Sequence, residues 1–590
     1  MRKMQNFRQR AGFTLFEMLI AIALIALIFW SIYLTYASIL DTIGNTSVRR
    51  AAVSVLNNEI ETIRNLPYES VGTVGGVPSG ILPQEKQVTV GDVTFTVTTT
   101  VRNIDDPFDG TLGGTPNDTA PADYKLVAVK VSCKRCSKFQ PIEVTTTVAP
   151  KHLESSSENG SLFIHVFDAN GVALQGIPVH VVNNKVLPPI DLTDTTNADG
   201  VLQLVDVPTS TQGYEITVTD TGYSQDQTYT PGDPQNPNPL KPHATVVSRQ
   251  VTNTSFSIDK VSTVLVKTQD KFCAPQGNKH FSMQGAKLIG TNPDVLKFST
   301  TSVTDSAGEK LFTNIEWDSY SFALLEAGDD VVGTLPLSPM EVAPSSTNEF
   351  AFVLQPANPK SLLVTVRDSV TGNPVAGAQV RLEKPGFSAT KITGMNSFGQ
   401  SDWSGGNYSA QSGTDTDSTP GTVTMAANGG VYSTTTTAWL VSKTFDLGTS
   451  STTFSVISWN PTSQPPGTTL KIQLASNNDN ATWNFIGPDG TPSSYYTVSG
   501  AAIGNFHDGH RYLRYKVYLA TQDSTQTPSL EDITFTFGSD CLPPAQALFS
   551  GLGAGTYSLY VSATGYFDYS ASTTVSADWQ QEDVEIIPSI

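Results

Sequence analysis

The chain has 590 residues, enough for about three to five domains at roughly 100–200 residues each. Only 15% of them are charged, and 35 basic against 54 acidic residues leave a net charge of −19. That balance repels phosphate backbones, so no nucleic-acid partner is expected. Plentiful Thr, Ser, Gly and Pro point to short strands joined by turns. Four cysteines are too few for a disulfide framework or for two four-cysteine zinc sites.

Residues 1–12 (MRKMQNFRQRAG) carry Arg2, Lys3, Arg8 and Arg10 and no acid. Residues 13–40 are apolar, with Glu17 as the single charge. The run exceeds the ~20 residues that cross a bilayer as a helix. The preceding cations hold the N-terminus in the cytoplasm, so the bulk lies outside. An ordinary secretory signal has an apolar core of about 7–15 residues, roughly half this length. A plain anchor has no use for Glu17, because a carboxylate in a membrane costs at least ~2.5–3.5 kcal/mol.

Gly12-Phe13-Thr14-Leu15-Phe16-Glu17 resembles the processing site of type IV prepilins and pseudopilins. The resemblance implies cleavage after Gly12 by a prepilin peptidase/methyltransferase at the inner membrane, and N-methylation of Phe13. It also implies that Glu17 pairs with the N-terminal amine of a neighbouring pilin subunit. Elementary electrostatics agrees, since a buried carboxylate needs a cation at its own depth.

Val48, Ala51, Ala52, Val55, Leu56, Ile60, Ile63 and Leu66 recur at steps of three and four, an amphipathic stripe ended by Pro67. One helix over 13–66 is about 80 Å long. The Glu59-Ile60-Glu61 and Leu66-Pro67-Tyr68 stretches are similar to the helix end of minor pilins. A β head over 67–150 is expected to contain strands at 87–90, 93–103, 124–132 and 142–148, the first two joined at Gly91-Asp92.

Beyond Pro150 the chain repeats loosely. Residues 161–167 (SLFIHVF) and 361–367 (SLLVTVR) each open a similar order of turns and strands, and a divergent copy lies between. Residues 371–382 (TGNPVAGAQVRL) and 549–566 (FSGLGAGTYSLYVSATGY) resemble carboxypeptidase regulatory-like domains, seven-stranded sandwiches that are spacers or binding modules. The expected sandwiches span 158–258, 259–357, and 360–394 with 542–590. The insert, 395–541, is expected to hold strands at 422–425, 438–445, 453–459, 468–475, 511–519 and 531–537. The order Trp439-Leu440, Phe445, Trp459, Gln473-Leu474-Ala475, Trp483 and Arg511-Tyr512-Leu513-Arg514-Tyr515 resembles a discoidin-type or carbohydrate-binding jelly roll. The fold class is therefore an α+β pilin module, a long N-terminal helix plus antiparallel sheet. Mainly-β tandem sandwiches with an inserted jelly-roll-like domain follow. Linkers are expected at 151–160, 231–242 and near Asn358.

Candidate chemistry is sparse. Cys133 and Cys136 fit a small disulfide in an oxidising compartment, with zinc and redox work as alternatives. Cys273 and Cys541 lie in different modules and pair only if those modules touch. Asp105, Asp106, Asp109, Asp118 and Asp123 surround glycines and offer oxygen ligands for calcium, or form a solvated acidic loop. His507-Asp508-Gly509-His510 reads as a loop ahead of a strand. Trp439, Trp459 and Trp483 are core residues or sugar-stacking platforms. No phosphate loop, nucleophile elbow or catalytic triad is visible, so no enzyme and no cofactor is expected. The expected function is a minor pilin or pseudopilin of a type IV pilus-like or type II secretion-like filament. A surface adhesin for glycans is the alternative, and a tethered hydrolase is a further one.

Overall fold

The computed structural model describes residues 15–136, 139–151 and 156–589. The expected cleavage and methylation positions, Gly12 and Phe13, lie outside the described residues. The rest groups into two compact units. One runs to Asp259 and takes in Ile289–Val295; the other comprises Lys260–Leu288 and the chain from Leu296 onward.

The first unit opens with α1, Leu15–Arg64, 50 residues long and so about 75 Å. Pro67 has no N–H to continue the ladder, and the last turn closes through Leu66 N–H to the Ile63 carbonyl at 3.1 Å. Ala52, Val55, Leu56, Ile60 and Ile63 are buried. They pack on a four-stranded antiparallel sheet of β1 (Glu85–Val90), β2 (Val93–Ile104), β3 (Tyr124–Ser132) and β4 (Ile142–Val148), in that order. Phe95, Val97, Val101, Val127, Val129 and Val131 supply the facing layer. Gly91 turns the β1–β2 hairpin at φ +60°, a conformation that favours glycine. Glu59, 7% exposed, is held by Lys86 at 2.8 Å.

A sandwich follows, with β5 (Gly160–Phe167), β6 (Pro178–Asn183), β7 (Ile190–Thr195), β8 (Val201–Val207) and β9 (Ser210–Val218). Its last strand, Val251–Ser257, runs parallel to β5. The head is fused to this sandwich rather than strung from it. Arg102 pairs with Asp194, Asn103 Nδ2 donates to the Val205 carbonyl at 3.1 Å, and Val77 enters the sandwich core. The expected linker at 231–242 is also corrected. Leu240 N–H and Asn236 Nδ2 both donate to the Ile289 carbonyl, at 2.9 and 3.1 Å. The Pro and Asn residues there build turns that dock a loop; they do not mark a free tether.

In the second unit, Ser262–Asp270 runs parallel to Thr347–Pro356, and Ser361–Asp368 runs parallel to Trp579–Ile586. All three sandwiches therefore close by laying the last strand parallel to the first. The third is assembled from two halves of the chain: Gln379–Lys384 pairs with Gly555–Ser562, across the insert. The residues near Asn358, expected to be a linker, are exposed but tied down by a buried carboxylate. Asp330 accepts from Ser361 Oγ at 2.6 Å and from Asn358 N–H at 3.1 Å.

The insert holds two larger antiparallel sheets around Trp403, Leu440, Trp459, Tyr515 and Phe535, with a small two-stranded pairing of Thr414–Asp415 and Thr424–Met425 beside them. The expected strand at 438–445 is broken into Ala438–Val441 and Phe445–Asp446. Ser442 causes the break: its buried hydroxyl accepts the Tyr515 N–H at 3.0 Å, replacing a ladder carbonyl. Cys273 and Cys541 are joined by a disulfide, and Phe272 beside it stacks on Phe537 at 5.9 Å.

Candidate functional site

Glu17 stands in the first turn of α1, where a negative charge suits the helix dipole. Around and beyond it, nineteen large apolar side chains from Leu15 to Ile43 are exposed. Each such side chain gains about 1.5–3 kcal/mol on leaving water, so this surface demands lipid or other helices. Two hydroxyls in the span bond back to the helix itself. Ser31 Oγ donates to the Ile28 carbonyl and Thr35 Oγ1 to the Ser31 carbonyl, both at 2.8 Å. Internal satisfaction is what a helix in an apolar medium requires. Among the described helices, α1 alone is long and apolar enough to cross a membrane.

The other candidates separate. Cys133 and Cys136 form a disulfide in the structure, which leaves no thiolate for zinc. The one metal-like cluster among the described residues, Cys273, Asp540 and Cys541, has both sulfurs committed to the second disulfide.

The acidic loop is used largely by its own backbone. Asp106 accepts from Phe108 N–H at 3.1 Å, Asp118 from Ala120 N–H at 2.8 Å, and Asp105 from Leu112 N–H at 2.9 Å. The first two are Asx turns. Asp105 Oδ1 and Asp118 Oδ2 are buried without a hydrogen-bond partner. Burial pushes the Asp105 carboxyl up, and Asp118, Asp123 and Asp109 add repulsion.

His507 is 1% exposed, and its ring is pushed down to about 4 by burial and by neighbouring His510. Ser476 Oγ lies 2.8 Å from Nδ1 of both rings. Asp508 accepts the Phe454 N–H at 2.8 Å. The group is a structural knot, with its carboxylate turned to backbone.

The three tryptophans divide. Trp459 is 3% exposed in the insert core, which corrects its candidacy as a sugar platform. Trp439 and Trp483 are half-exposed, with Lys516 Nζ 4.4 Å from the Trp439 ring centre and the Arg514 guanidinium 4.2 Å from that of Trp483. These cations went unnoticed in the sequence. The signal is the alternation Tyr512, Arg514, Lys516, Tyr518 on one strand face.

No curated protein matches the chain. Among solved structures, the Bacillus anthracis TIE protein is 10% identical, with 85% of this chain and 73% of that one covered and a TM-score of 0.16. The streptococcal ancillary pilin is 12% identical, covering 73% of this chain and 99% of its own, at a TM-score of 0.15. The Streptococcus agalactiae minor pilin is 14% identical, covering 34% and 99%, also at 0.15. At such scores the whole chains do not superpose. The family model for the prokaryotic N-terminal methylation motif matches residues 7–33, a span that contains the basic leader's end, Gly12, Phe13, Glu17 and the apolar run as far as Tyr33; the N-terminus is type IV pilin-like.

Proposed function

We propose that the chain is a non-enzymatic minor pilin or pseudopilin of a type IV pilus-like or type II secretion-like filament. It inserts as a single-pass precursor with its N-terminus in the cytoplasm. A prepilin peptidase/methyltransferase cuts after Gly12 and methylates Phe13. The helix then packs among other pilin subunits and carries the β modules outside the cell. The observation that carries this reading is Glu17, the single charge of the apolar run, set inside the methylation motif. A helix that served only as an anchor gains nothing from a carboxylate that costs ~2.5–3.5 kcal/mol in lipid. A pilin-type helix gains a counterion for the new α-amino group of its neighbour. The test is to isolate sheared filaments from cells that make the chain and probe them for it. Recovery in filaments supports the reading; recovery only in the membrane fraction contradicts it.

A second role, display of an adhesive surface, is favoured by one observation. Trp439 and Trp483 reach the surface of the insert with cations stacked on them.

A further inference from the structure

The strand Tyr512–Thr521 buries Leu513, Tyr515, Val517 and Leu519 and turns Arg514, Lys516 and Tyr518 to the opposite face. Its neighbours extend that face. Trp439 and Lys471 lie in register on either side of Tyr518. Two strand spacings make this row about 10 Å wide, and Arg514 to Tyr518 runs about 13 Å along the strand. A short run of sugar rings fits such an area.

Charge is segregated onto this face. Residues 395–541 hold five Lys and Arg against eleven Asp and Glu, yet Lys471, Arg514 and Lys516 gather here. Nearby Arg511 is neutralised by Asp446 at 2.7 Å. The three face cations, among the described residues, have no carboxylate within 4.0 Å. Each lies over an aromatic ring instead, Lys471 over Tyr495 at 3.9 Å, Arg514 over Trp483 and Lys516 over Trp439. Arg514 is further steadied by donation from Nε to Thr444 Oγ1 at 2.8 Å. Partial burial draws both Arg514 and Lys516 below their ordinary range, so an arriving anion meets cations already stripped of some water.

We propose that this outer face of the insert binds a carboxylated polysaccharide. Lys471, Arg514 and Lys516 meet the carboxylates, and Trp439, Trp483 and Tyr518 lie against the sugar rings. Aromatic side chains with a polar edge suit a ligand that is apolar on its ring faces and wet at its rim. The sparse cations match a polymer with a charge every ring or two. A nucleic acid strand carries a charge about every 3.4 Å and would be repelled by the acidic remainder of the module. The inference rests on the display role for its use in the cell, but binding itself does not require incorporation into a filament.

The experiment is calorimetric titration of the full chain in detergent with oligosaccharides of alginate and of hyaluronate, with dextran, and with oligothymidylate. We expect at least one of the two carboxylated oligosaccharides to bind and dextran to fail. Arg514→Gln with Lys516→Gln, and separately Trp439→Ala, are expected to weaken binding at least tenfold. Lys310→Gln, in another module, leaves it unchanged. A thermal melt equal to wild type confirms that the charge variant folds. Failure of both carboxylated oligosaccharides, equal binding by the charge variant, equal binding of dextran, or tighter binding of oligothymidylate overturns the proposal. A chain that binds a carboxylated oligosaccharide yet never appears in filaments keeps this inference and loses the filament reading; the reverse result does the opposite.

Discussion

Residues 15–43 and the β modules solve opposite problems. The modules bury their own apolar side chains: Phe281, Phe350 and Phe352 in one sandwich, Leu559 and Val584 in the next, Tyr515 and Phe535 in the insert. The outer part of α1 buries almost nothing and keeps its large apolar side chains exposed. α1 changes solvent along its length, because from Ala52 onward one face is covered by the head sheet. The lesson is that apolar content alone does not define a core. Where alternation or an amphipathic stripe is present, the chain covers itself. Where residues are apolar on every side, something else covers them.

This contrast can be broken by mutation. The largest effect is expected from Phe95→Ala in the head core. Removing a buried Phe costs about 3–5 kcal/mol, seen as a lowered urea midpoint for the first unit. Ile25→Ala, on the exposed helix, leaves that midpoint unchanged in detergent. A comparable loss from Ile25→Ala would mean that the outer helix folds against its own chain.

The insert offers a pH test of self-burial. Unfolding restores the His507 ring to about 6.5, while the fold holds it at about 4. The folded state favours the neutral ring, so its stability contribution is complete above about pH 6.5 and is lost as pH falls towards 4. The shift corresponds to about 3 kcal/mol. Thermal melts of the insert are expected to fall over that window in wild type and to flatten in His507→Leu. An unchanged slope in the variant would show that His507 is not the responsible group.

A smaller effect is expected at Cys133–Cys136. Closing so short a loop stabilises by about 2 kcal/mol in the chain-entropy account. Cys133→Ser with Cys136→Ser lowers the head midpoint modestly, and thiol labelling of the untreated wild type finds neither residue. Full labelling would return the pair to the zinc or redox alternatives.

Much of the architecture was legible because it is written in short periods. The strands Tyr124–Ser132 and Ile142–Val148 coincide with the alternating Val and Thr runs. The strands Gln379–Lys384 and Gly555–Ser562, which pair across the insert, also fall on alternating runs. Interactions across long sequence distances were not. Nothing local marks Cys273 as the partner of Cys541, 268 residues away. Nothing local tells that the Pro-rich turns at 231–242 dock Ile289. The Ser442 break depends on a hydrogen bond to Tyr515, which only the sheet register reveals. At the surface of the insert, Trp459 and Trp439 look alike as letters, and strand direction decides which one faces solvent.

The central claim is that the outer helix is covered by other pilin-type helices and that Glu17 is its counterion for a neighbour's amine. Glu17→Ala removes a charge from the apolar span, so membrane insertion is expected to persist or improve. Cleavage after Gly12 is expected to persist as well. Breaking a buried ion pair costs about 3–5 kcal/mol, so recovery of the variant in purified filaments should fall at least a hundredfold below wild type at equal membrane levels. Equal recovery of the two proteins in filaments would contradict the account and leave α1 as an anchor alone.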